Sequence, residues 1–437
     1  MADLFASLVQ AQRVHRRAFV DPGVFAQEMA KIFSATWVYL GHESELALPG
    51  SYKATTMGTQ PVLLTRDVES GRLHGLVNAC RHRGLPLAED HSCGKKRYLV
   101  CPYHGWTFDL AGRLVGVPMR DRQSGDFDES SLGLIKIPLL DSYRGFVFGS
   151  LNSAAPSLID HLGAASPFLD LFADLSPSGK IRVESGVTKY KFKGNWKQQV
   201  ENSMDGYHPG LVHQSFFEDV LKSRIGRGMS FIVGPESPAK NASLGNGHAL
   251  IDFRMFDRKS MLGGSKPKSE IDWHDKVRAR FADRAGYADE VIACNGGDGF
   301  NLLIYPNLVL INNQIRVIHP VSFDSTEVFA YPVTLEDVAP EINTHRLRAH
   351  EDFYGPASFG APDDIEMFQR QWDGMLRATS MEWLCYDRGL DQETPLGDVG
   401  RESHVSDETA QRGVWRRWAE LMAAPTMEDV SLPEVLA

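Results

Sequence analysis

Cys80-Arg-His82 is followed, after eighteen residues, by Cys101-Pro-Tyr-His104-Gly105-Trp106, and this pair of motifs decides the fold. The pattern C-x-H…C-x-x-H places two thiolates and two imidazoles on two loops. Four such ligands suit either a tetrahedral zinc ion or an iron–sulfur cluster. The motifs therefore predict a metal site, with zinc as the alternative on this evidence alone.

The spacing of the four ligands favours the iron–sulfur cluster. In a Rieske [2Fe–2S] centre one iron takes two Cys and the other takes two His, so each loop contributes one ligand of each kind. The C-x-H pair is also shorter than the C-x₂₋₄-C pairs that are usual in zinc sites. We expect Gly105 to let backbone approach the cluster and Trp106 to shield it from water. Cys93 lies between the loops and matches no ligand position.

Length and composition are those of an ordinary globular protein. The chain has 437 residues, and at roughly 100–200 residues per domain this predicts two or three domains. The net charge of −10 argues against a nucleic-acid partner, because binding a phosphate backbone needs a basic surface. There is no apolar run of about 20 residues and no signal peptide, and five Cys are not a disulfide framework. These features predict a cytoplasmic protein with reduced thiols and no membrane partner.

Hydrophobic patterning divides the chain into two domains. Short β-type runs separated by Gly-containing turns fill residues 38–151, which predicts a small antiparallel β domain. Residues 1–37 and 152–437 carry helical patterns and two stretches that look like long neighbouring strands, Leu302–Ile318 and Val328–Val333. The predicted fold class is α+β.

Two local patterns in the second domain give further expectations. Ile365, Phe368, Trp372 and Leu376 are spaced so that they form one face of a helix. Pro235–His248 is rich in Gly, Ser, Pro and Asn, which predicts a loop.

A second group of candidate ligands lies about a hundred residues after the first. Asn202, Asp205 and His208 are spaced three apart and could share one helical face. Pro209 disfavours helical geometry at the residue before it and breaks the hydrogen-bond ladder. A helix that ends near His208 and turns would bring His213 alongside.

Two His and one carboxylate on one side of an ion form the facial triad of non-haem Fe(II) oxygenases, which leaves positions open for O₂ and substrate. The carboxylate is either Asp205 or a member of the remote pair Asp363-Asp364. On its own a pair of His is more often structural, and an acidic pair at a helix start is more often a cap. Their occurrence together with the Cys/His motifs favours the iron site.

With both groups placed, the sequence resembles the large (α) subunits of Rieske non-haem iron aromatic-ring-hydroxylating oxygenases. It is closer to the benzoate-, terephthalate- and salicylate-type branches than to any particular enzyme. The motifs that carry the resemblance are C-R-H-R-G, C-x-Y-H-G-W, N-W-K…E-N…D-x-Y-H-x₄-H and a late acidic pair, in order along nearly the whole chain. The resemblance implies a Rieske [2Fe–2S] domain at 38–151. It also implies a catalytic mononuclear iron domain of helices packed on a long antiparallel sheet, formed by 1–37 and 152–437.

The resemblance also implies a role for each candidate residue. The ligands that it implies for the [2Fe–2S] cluster are Cys80, His82, Cys101 and His104. The ligands that it implies for a mononuclear Fe(II) are His208, His213 and Asp364, with Asp363 as the alternative carboxylate. Asp205 matches the carboxylate that receives electrons from a neighbouring subunit's cluster, and Asn202 would line the iron site.

The activity that the resemblance implies is that of a terminal oxygenase component. Such a component adds both atoms of O₂ to an aromatic ring as a cis-dihydrodiol in aromatic hydrocarbon catabolism. NAD(P)H electrons are expected through a separate reductase, with or without a ferredoxin, because the chain has no recognisable flavin or nucleotide motif. In this family the cluster and the iron of one subunit are far apart. A trimer is therefore expected, either α₃ or, with a small β subunit, α₃β₃.

Two other readings of the sequence are open. A Rieske monooxygenase, such as an aromatic hydroxylase or a demethylase, would use the same metal sites. A pure electron-transfer Rieske protein or a structural zinc protein does not explain the second group of ligands or the nearly three hundred residues after the β domain.

The substrate pocket is the least determined feature. Its apolar bias suits an aromatic ring, and the candidate lining residues are Val212, Phe216, Leu302, Asn313 and Phe359. Each of them is about equally well explained as ordinary core. Arg316 is a candidate partner for a substrate carboxylate, because a guanidinium binds carboxylates bidentately. A structural ion pair is the commoner role for an arginine on a strand.

Overall fold

The computed structural model describes residues 5, 7–183, 185–225, 232–256, 267–294, 299–311 and 313–424. The chain divides into two compact units. The small unit is Phe33–Leu158, and the large unit consists of the residues up to Ile32 together with those from Ile159 onward. No helix in the described part of the chain has the length and apolar composition that crossing a bilayer requires.

Helices and strands are numbered along the chain. Those before the small unit are β1 (Val9–Gln10), β2 (Arg13–His15), α1 (Arg17–Val20) and α2 (Pro22–Glu28), followed by a π-helical turn, Met29–Phe33. Helix α2 begins where the Asp21 side chain accepts a hydrogen bond from the Gly23 N–H at 2.8 Å. The proline at its first position supplies a φ angle already suited to a helix.

The small unit consists of short antiparallel strands, as predicted. They are β3 (Val38–His42), β4 (Ser51–Met57), β5 (Gln60–Arg66), β6 (Leu73–Val77), β7 (Cys93–Lys95), β8 (Leu99–Val100), β9 (Thr107–Phe108), β10 (Leu114–Gly116), β11 (Leu139–Tyr143) and β12 (Phe146–Ser150). They form a four-stranded sheet, β6-β5-β4-β7, and two three-stranded sheets, β11-β12-β3 and β10-β9-β8. Cys80, Cys101 and Trp106 are buried in the core of this unit together with Leu63 and Phe108.

The large unit contains the remaining elements. Its strands are β13 (Ile181–Arg182), β14 (Thr188–Lys193), β15 (Lys240–Gly245), β16 (His248–Asp252), β17 (Phe300–Ile304), β18 (Leu308–Ile311), β19 (Gln314–Ser322), β20 (Ser325–Pro332), β21 (Thr334–Leu335), β22 (Trp383–Cys385), β23 (Thr394–Leu396) and β24 (Gly400–His404). The helices that follow Ser157 are α3 (Leu158–Leu162), α4 (Ser166–Asp174), α5 (Trp196–Ser203), α6 (Pro209–Val212), α7 (Lys222–Ile225), α8 (Lys268–Arg280), α9 (Ala285–Ala293), α10 (Pro340–Tyr354), α11 (Ala361–Arg377) and α12 (Thr409–Ala423).

A nine-stranded antiparallel sheet organises the large unit. Its strand order is β14-β20-β19-β18-β17-β16-β15-β24-β23. Helix α5 packs against β17, β18 and β19, α12 packs against β15 and β16, and α11 packs against β14. The predicted α+β class, with helices on a long antiparallel sheet, is therefore confirmed.

Three local expectations need correction. Leu302–Ile318 is not one long strand, because β17, β18 and the start of β19 form successive antiparallel hairpins there. Residue 312 lies outside the described residues. Pro235–His248 is not simply a loop, because it contains β15, whose backbone pairs on both sides with β16 and β24. The buried face of α11 is rotated from the predicted one: Leu376 is exposed, whereas Asp364 and Met375 are buried.

A buried ion pair joins the start of the chain to α5 and α12. The carboxylate of Glu28 accepts hydrogen bonds from the Lys197 ammonium and from the indole N–H groups of Trp196 and Trp418. Glu28 and Lys197 are 0% and 3% exposed, so each depends on the other for charge compensation. Helix α5, which leads to the second group of candidate ligands, is thereby held at its first turn.

We predict that Glu28→Ala destabilises the protein by about 3–5 kcal/mol, because it leaves a buried ammonium without a counter-charge. Urea unfolding followed by tryptophan fluorescence measures the change. Glu366→Ala is the matched control. It removes an exposed partner of Arg370 on α11 and is expected to cost less than about 1 kcal/mol. Equal losses of unfolding free energy in the two variants would contradict this role of the Glu28 network.

Candidate active site

The two Cys/His loops of the small unit have the same backbone turn. The N–H of Gly84 donates to the carbonyl of Cys80 at 2.8 Å, and the N–H of Gly105 donates to the carbonyl of Cys101 at 2.9 Å. Both glycines have positive φ angles, 76° and 72°, which residues with a side chain rarely adopt. Each turn folds a loop back on itself, so that its Cys and its His are presented together.

The four side chains form a site with a buried end and a surface end. Cys80 and Cys101 are 3% and 2% exposed, and their side chains are within hydrogen-bonding contact. Burial, together with the neighbouring Cys101, raises the pKa of the Cys80 thiol. His82 and His104 are half-buried, and their Nδ1 atoms lie 3.1 Å apart. The predicted ligands are therefore brought together, the sulfurs inside and the imidazoles nearer the surface.

This arrangement fits a [2Fe–2S] cluster with two thiolates on one iron and two imidazoles on the other. Because both Nδ1 atoms face one point, each ring is left with its Nε2 for an outside hydrogen bond. The ring of His82 stacks on Trp106 with centroids 4.9 Å apart, so the tryptophan covers one side of the site. Cys93 is exposed on β7 and lies outside this arrangement.

The second group of candidate ligands converges in the large unit. His208, His213 and Asp364 each offer one ligand atom, and these atoms lie within 4.8 Å of one another. The Oδ1 of Asp364 is 3.5 Å from Nε2 of His208 and 3.2 Å from Nε2 of His213. Two imidazole nitrogens and one carboxylate oxygen that converge in this way fit a facial triad for Fe(II).

The backbone around the two His differs from the predicted helix. Helix α5 ends at Ser203, so Asn202, Asp205 and His208 do not share one helical face. Pro209 begins α6 rather than only ending a helix, and His208 and His213 flank this short helix at its two ends. The two rings are thereby brought to a centroid distance of 5.3 Å.

Asp205 and Asn202 support the triad. The Oδ1 of Asp205 accepts hydrogen bonds from the backbone N–H groups of Tyr207 and His208, and its Oδ2 lies 3.5 Å from Nδ1 of His208. The amide of Asn202 donates to Oδ1 of Asp364 at 3.0 Å. These contacts orient one imidazole and the carboxylate toward the same point.

Charges in this site are strongly coupled. Burial lowers the pKa of His208, but Asp205 and Asp364 outweigh it and raise that pKa to about 9. Burial acts to raise the pKa of Asp364, but His208 and His213 hold it well below its usual range. A group of two carboxylates that stabilises a cation on an imidazole will also stabilise a divalent metal ion in its place.

The structure distinguishes the two members of the acidic pair. Asp364 lies on the buried face of α11, with its side chain 12% exposed. The side chain of Asp363 is 46% exposed, and its carboxylate approaches only Nδ1 of His213, at 3.8 Å. This geometry favours Asp364 as the iron ligand. Asp364 precedes the buried Phe368 and Trp372 by four and eight residues, and this helical spacing is the sequence signal that separates the two.

The structure places only some of the predicted pocket residues near one another. Phe216 packs on Phe353, whose ring lies 5.2 Å from that of His213, and Phe359 joins this aromatic group 5.9 Å from Phe216. Val212 is half-buried directly before His213. Leu302 is buried in β17, and Asn313 donates its side-chain amide to the carbonyl of Arg346. Arg316 is buried, and its Nη1 lies 3.4 Å from the hydroxyl of Ser203.

Sequence reasoning missed the polar residues that connect Arg316 to the triad. The Gln199 amide donates to Oγ of Ser203 at 3.2 Å and to Oδ1 of Asn202 at 3.3 Å, and its carbonyl accepts from the hydroxyl of Tyr190 at 2.6 Å. Gln199 precedes Asn202 and Ser203 by three and four residues on α5, a helical spacing that could have indicated the contact.

Comparison with known proteins agrees with this geometry. Residues 36–142 match the Rieske [2Fe-2S] domain, and residues 181–424 match the ring hydroxylating alpha subunit (catalytic domain). The chain belongs to the ring-hydroxylating α subunits. It is a terminal oxygenase component of an aromatic-ring-hydroxylating dioxygenase, and its cofactors are a Rieske [2Fe–2S] cluster and a mononuclear iron. As such it needs electrons from a reductase or ferredoxin, an aromatic substrate and O₂.

Relatives of this α subunit cover nearly the whole chain. It is 35% identical to the 2-halobenzoate 1,2-dioxygenase large subunit of Burkholderia cepacia, over 96% of this chain and 86% of that protein. It is also 35% identical to the anthranilate 1,2-dioxygenase large subunit of Acinetobacter baylyi, over 93% of this chain and 89% of that protein. A solved structure of naphthalene 1,2-dioxygenase with bound indole superposes with a TM-score of 0.81 at 22% identity, over 97% of this chain and 95% of that one. At that identity the superposition shows the fold alone.

We predict that Asp364→Asn loses the mononuclear iron and keeps the cluster, because the triad loses its only negatively charged ligand. Iron should fall from about three to about two atoms per chain while labile sulfide stays at about two. Asp363→Asn is the matched control and should keep about three irons, because that side chain is exposed. Loss of iron from the Asp363 variant with retention in the Asp364 variant would reverse the assignment.

Proposed function

We propose that the aromatic substrate of this oxygenase carries a carboxylate and that Arg316 binds it. The observation that carries this proposal is the environment of Arg316 on β19, beside the triad. Three relatives are named for aromatic carboxylates, 2-halobenzoate, anthranilate and toluate, at 34–35% identity. Their names support the same substrate class here.

Arg316 is a buried cation without a counter-charge among the described residues. It is 3% exposed, it forms no ion pair with a described acidic residue, and its Nε has no hydrogen-bond partner among the described residues. Its Nη1 faces the neutral hydroxyl of Ser203, and its guanidinium lies over the ring of Tyr354 at 5.3 Å. A buried charge normally requires a paired charge. A substrate carboxylate would provide one, with two oxygens for the guanidinium fork.

The position of Arg316 suits a ring that reaches the iron ligands. The charges of Arg316 and Asp364 both act on Tyr190: burial raises the pKa of this phenol to about 12, Arg316 lowers it and Asp364 raises it. The same two charges act on Tyr354 in the same directions. Hydrogen bonds also connect Arg316 to the triad, because Arg316 contacts Ser203, Gln199 donates to Ser203 and Asn202, and Asn202 donates to Asp364. A benzoate-sized molecule held by Arg316 would therefore lie close to the iron ligands.

The roles of the remaining residues follow from their contacts. When bound, the cluster supplies single electrons and the mononuclear iron activates O₂. His208, His213 and Asp364 would hold that iron, and Asn202 would keep the Asp364 carboxylate oriented by its hydrogen bond. Asp205 would fix the tautomer of His208 through Nδ1 and would connect this imidazole to the outside of the subunit.

We infer further that the oxygenase works as a trimer, as α₃ or, with a small β subunit, as α₃β₃. The support is the surface beside Asp205. Its carboxylate is 32% exposed, and the neighbouring Tyr207 and Leu211 are 53% and 79% exposed. Exposed apolar residues that lie together beside a charged group are typical of a surface that a subunit interface covers. A histidine of another subunit's cluster could then donate its free ring N–H to Asp205.

We also propose domain boundaries, an electron source and a cellular location for this subunit. The Rieske domain would comprise 38–151, and the catalytic domain 1–37 with 152–437. The matched families at 36–142 and 181–424 and the two compact units support these boundaries. Electrons would come from NAD(P)H through the reductase, and the enzyme would be cytoplasmic.

We predict that Arg316→Gln weakens benzoate binding about 10- to 100-fold, because a charged hydrogen-bonded pair is lost. Affinity for benzamide, a neutral molecule of the same shape, should change less than about threefold. Titration calorimetry on the wild-type and variant chains measures both ligands. The exposed Arg370→Gln on α11 serves as the charge-matched control. Unchanged benzoate affinity in the Arg316 variant would reject the proposed anchor.

We predict that Asp205→Asn lowers the rate of substrate oxidation with the reductase by at least about tenfold, because the polar connection to His208 is weakened. Its cluster spectrum, iron content and benzoate affinity should match those of the wild type. Asp219→Asn, at an exposed carboxylate nearby, should keep full activity. Full activity in the Asp205 variant would remove this residue from the mechanism.

A further inference from the structure

Two polar side chains project from the same face of β19. Gln314 and Arg316 are two residues apart on this strand, so both point to the same side of the sheet. Gln314 is 0% exposed, and neither its Nε2 nor its Oε1 has a hydrogen-bond partner among the described residues. Apolar side chains would be the usual occupants of such a position.

A third buried polar residue, on α10, lies beside the tyrosine that Arg316 covers. His350 is 2% exposed, and neither of its ring nitrogens has a partner among the described residues. Its ring lies 5.8 Å from that of Tyr354, over which the guanidinium of Arg316 is placed. Burial first, and then the charge of Arg316, lowers the pKa of His350 to about 4. The imidazole is therefore neutral, with one N–H donor and one acceptor nitrogen.

Together these three residues present five buried polar atoms that the described protein leaves without partners. Native proteins pair nearly all such atoms, so a group of them beside a buried cation indicates a ligand. A carboxylate alone cannot serve all five, because an ionised carboxylate only accepts hydrogen bonds. The Oε1 of Gln314 and the acceptor nitrogen of His350 require a donor on the ligand.

We infer that Gln314 and His350 form a second subsite that binds a hydroxyl or amino group on the ring of the carboxylated substrate. The inference rests on the proposed role of Arg316 and narrows the substrate class to hydroxy- or aminobenzoates. Arg316 binds the carboxylate, and the second substituent donates to Gln314 or His350 and accepts from the other. Gln314 and His350 are specificity-determining residues, and neither takes part in the oxygenation chemistry.

The test is calorimetric binding of a set of benzoates to the full-length chain at pH 7. The set is benzoate, the three monohydroxybenzoates, the three monoaminobenzoates and the three methylbenzoates, which match them in size. We expect at least one hydroxy- or aminobenzoate to bind about tenfold more tightly than its methyl counterpart. In His350→Phe and Gln314→Leu this preference should fall below about threefold, while benzoate affinity stays within about twofold.

His345→Phe is the matched control, because His345 lies on the same helix but is exposed, and it should keep the preference. A wild-type chain that binds no hydroxy- or aminobenzoate more tightly than the methylbenzoates overturns the inference, and this result needs no variant to fold. Variants that fold and retain the wild-type preference overturn it as well. Failure of the carboxylate anchor is a separate outcome, since it appears as unchanged benzoate affinity in Arg316→Gln.

Discussion

The contact of the Asp364 carboxylate with His208 and His213 is the constraint on which the iron site depends. The carboxylate comes from the first turn of α11, and the two imidazoles flank α6, so the site exists only when these distant segments meet. Bringing like and unlike charges together inside the protein requires that each be compensated. The Asn202 amide provides part of that compensation and a bound metal ion would provide the rest, which explains why this helix buries an aspartate where an apolar residue would be expected.

The same principle separates two buried charges that look alike in sequence. Lys197 is compensated within the protein, because Glu28 accepts from it and from two indole N–H groups. Arg316 is equally buried, but a serine hydroxyl is its nearest described polar contact. Folding alone therefore explains Lys197, whereas Arg316 is explained by the carboxylate ligand that we propose.

Sequence reasoning succeeds where the chemistry is local. The cluster loops could be predicted because each ligand pair, with its glycine turn, lies within five consecutive residues. The residues alone could narrow the carboxylate of the triad only to Asp205 or the pair Asp363-Asp364, because the choice depends on which side chains are buried; Asp364 was named through the family resemblance. The loop prediction for Pro235–His248 was wrong for β15, since backbone pairing with β16 and β24 stabilises a strand whose composition does not favour one.

Pocket residues were the hardest to predict, and the physical reason is that polar specificity arises from side chains far apart in sequence. Gln314 and Arg316 look like polar interruptions in a strand, and His350 looks like one histidine on an ordinary helix. Only when β19 and α10 are packed in one unit does Arg316 lie over Tyr354, beside the ring of His350. The relatives are similar to this chain over nearly its whole length, whereas discrimination between ring substituents requires only a few polar atoms. A change at Gln314 or His350 could therefore alter the preferred benzoate while the cluster, the iron and the carboxylate anchor stay as they are.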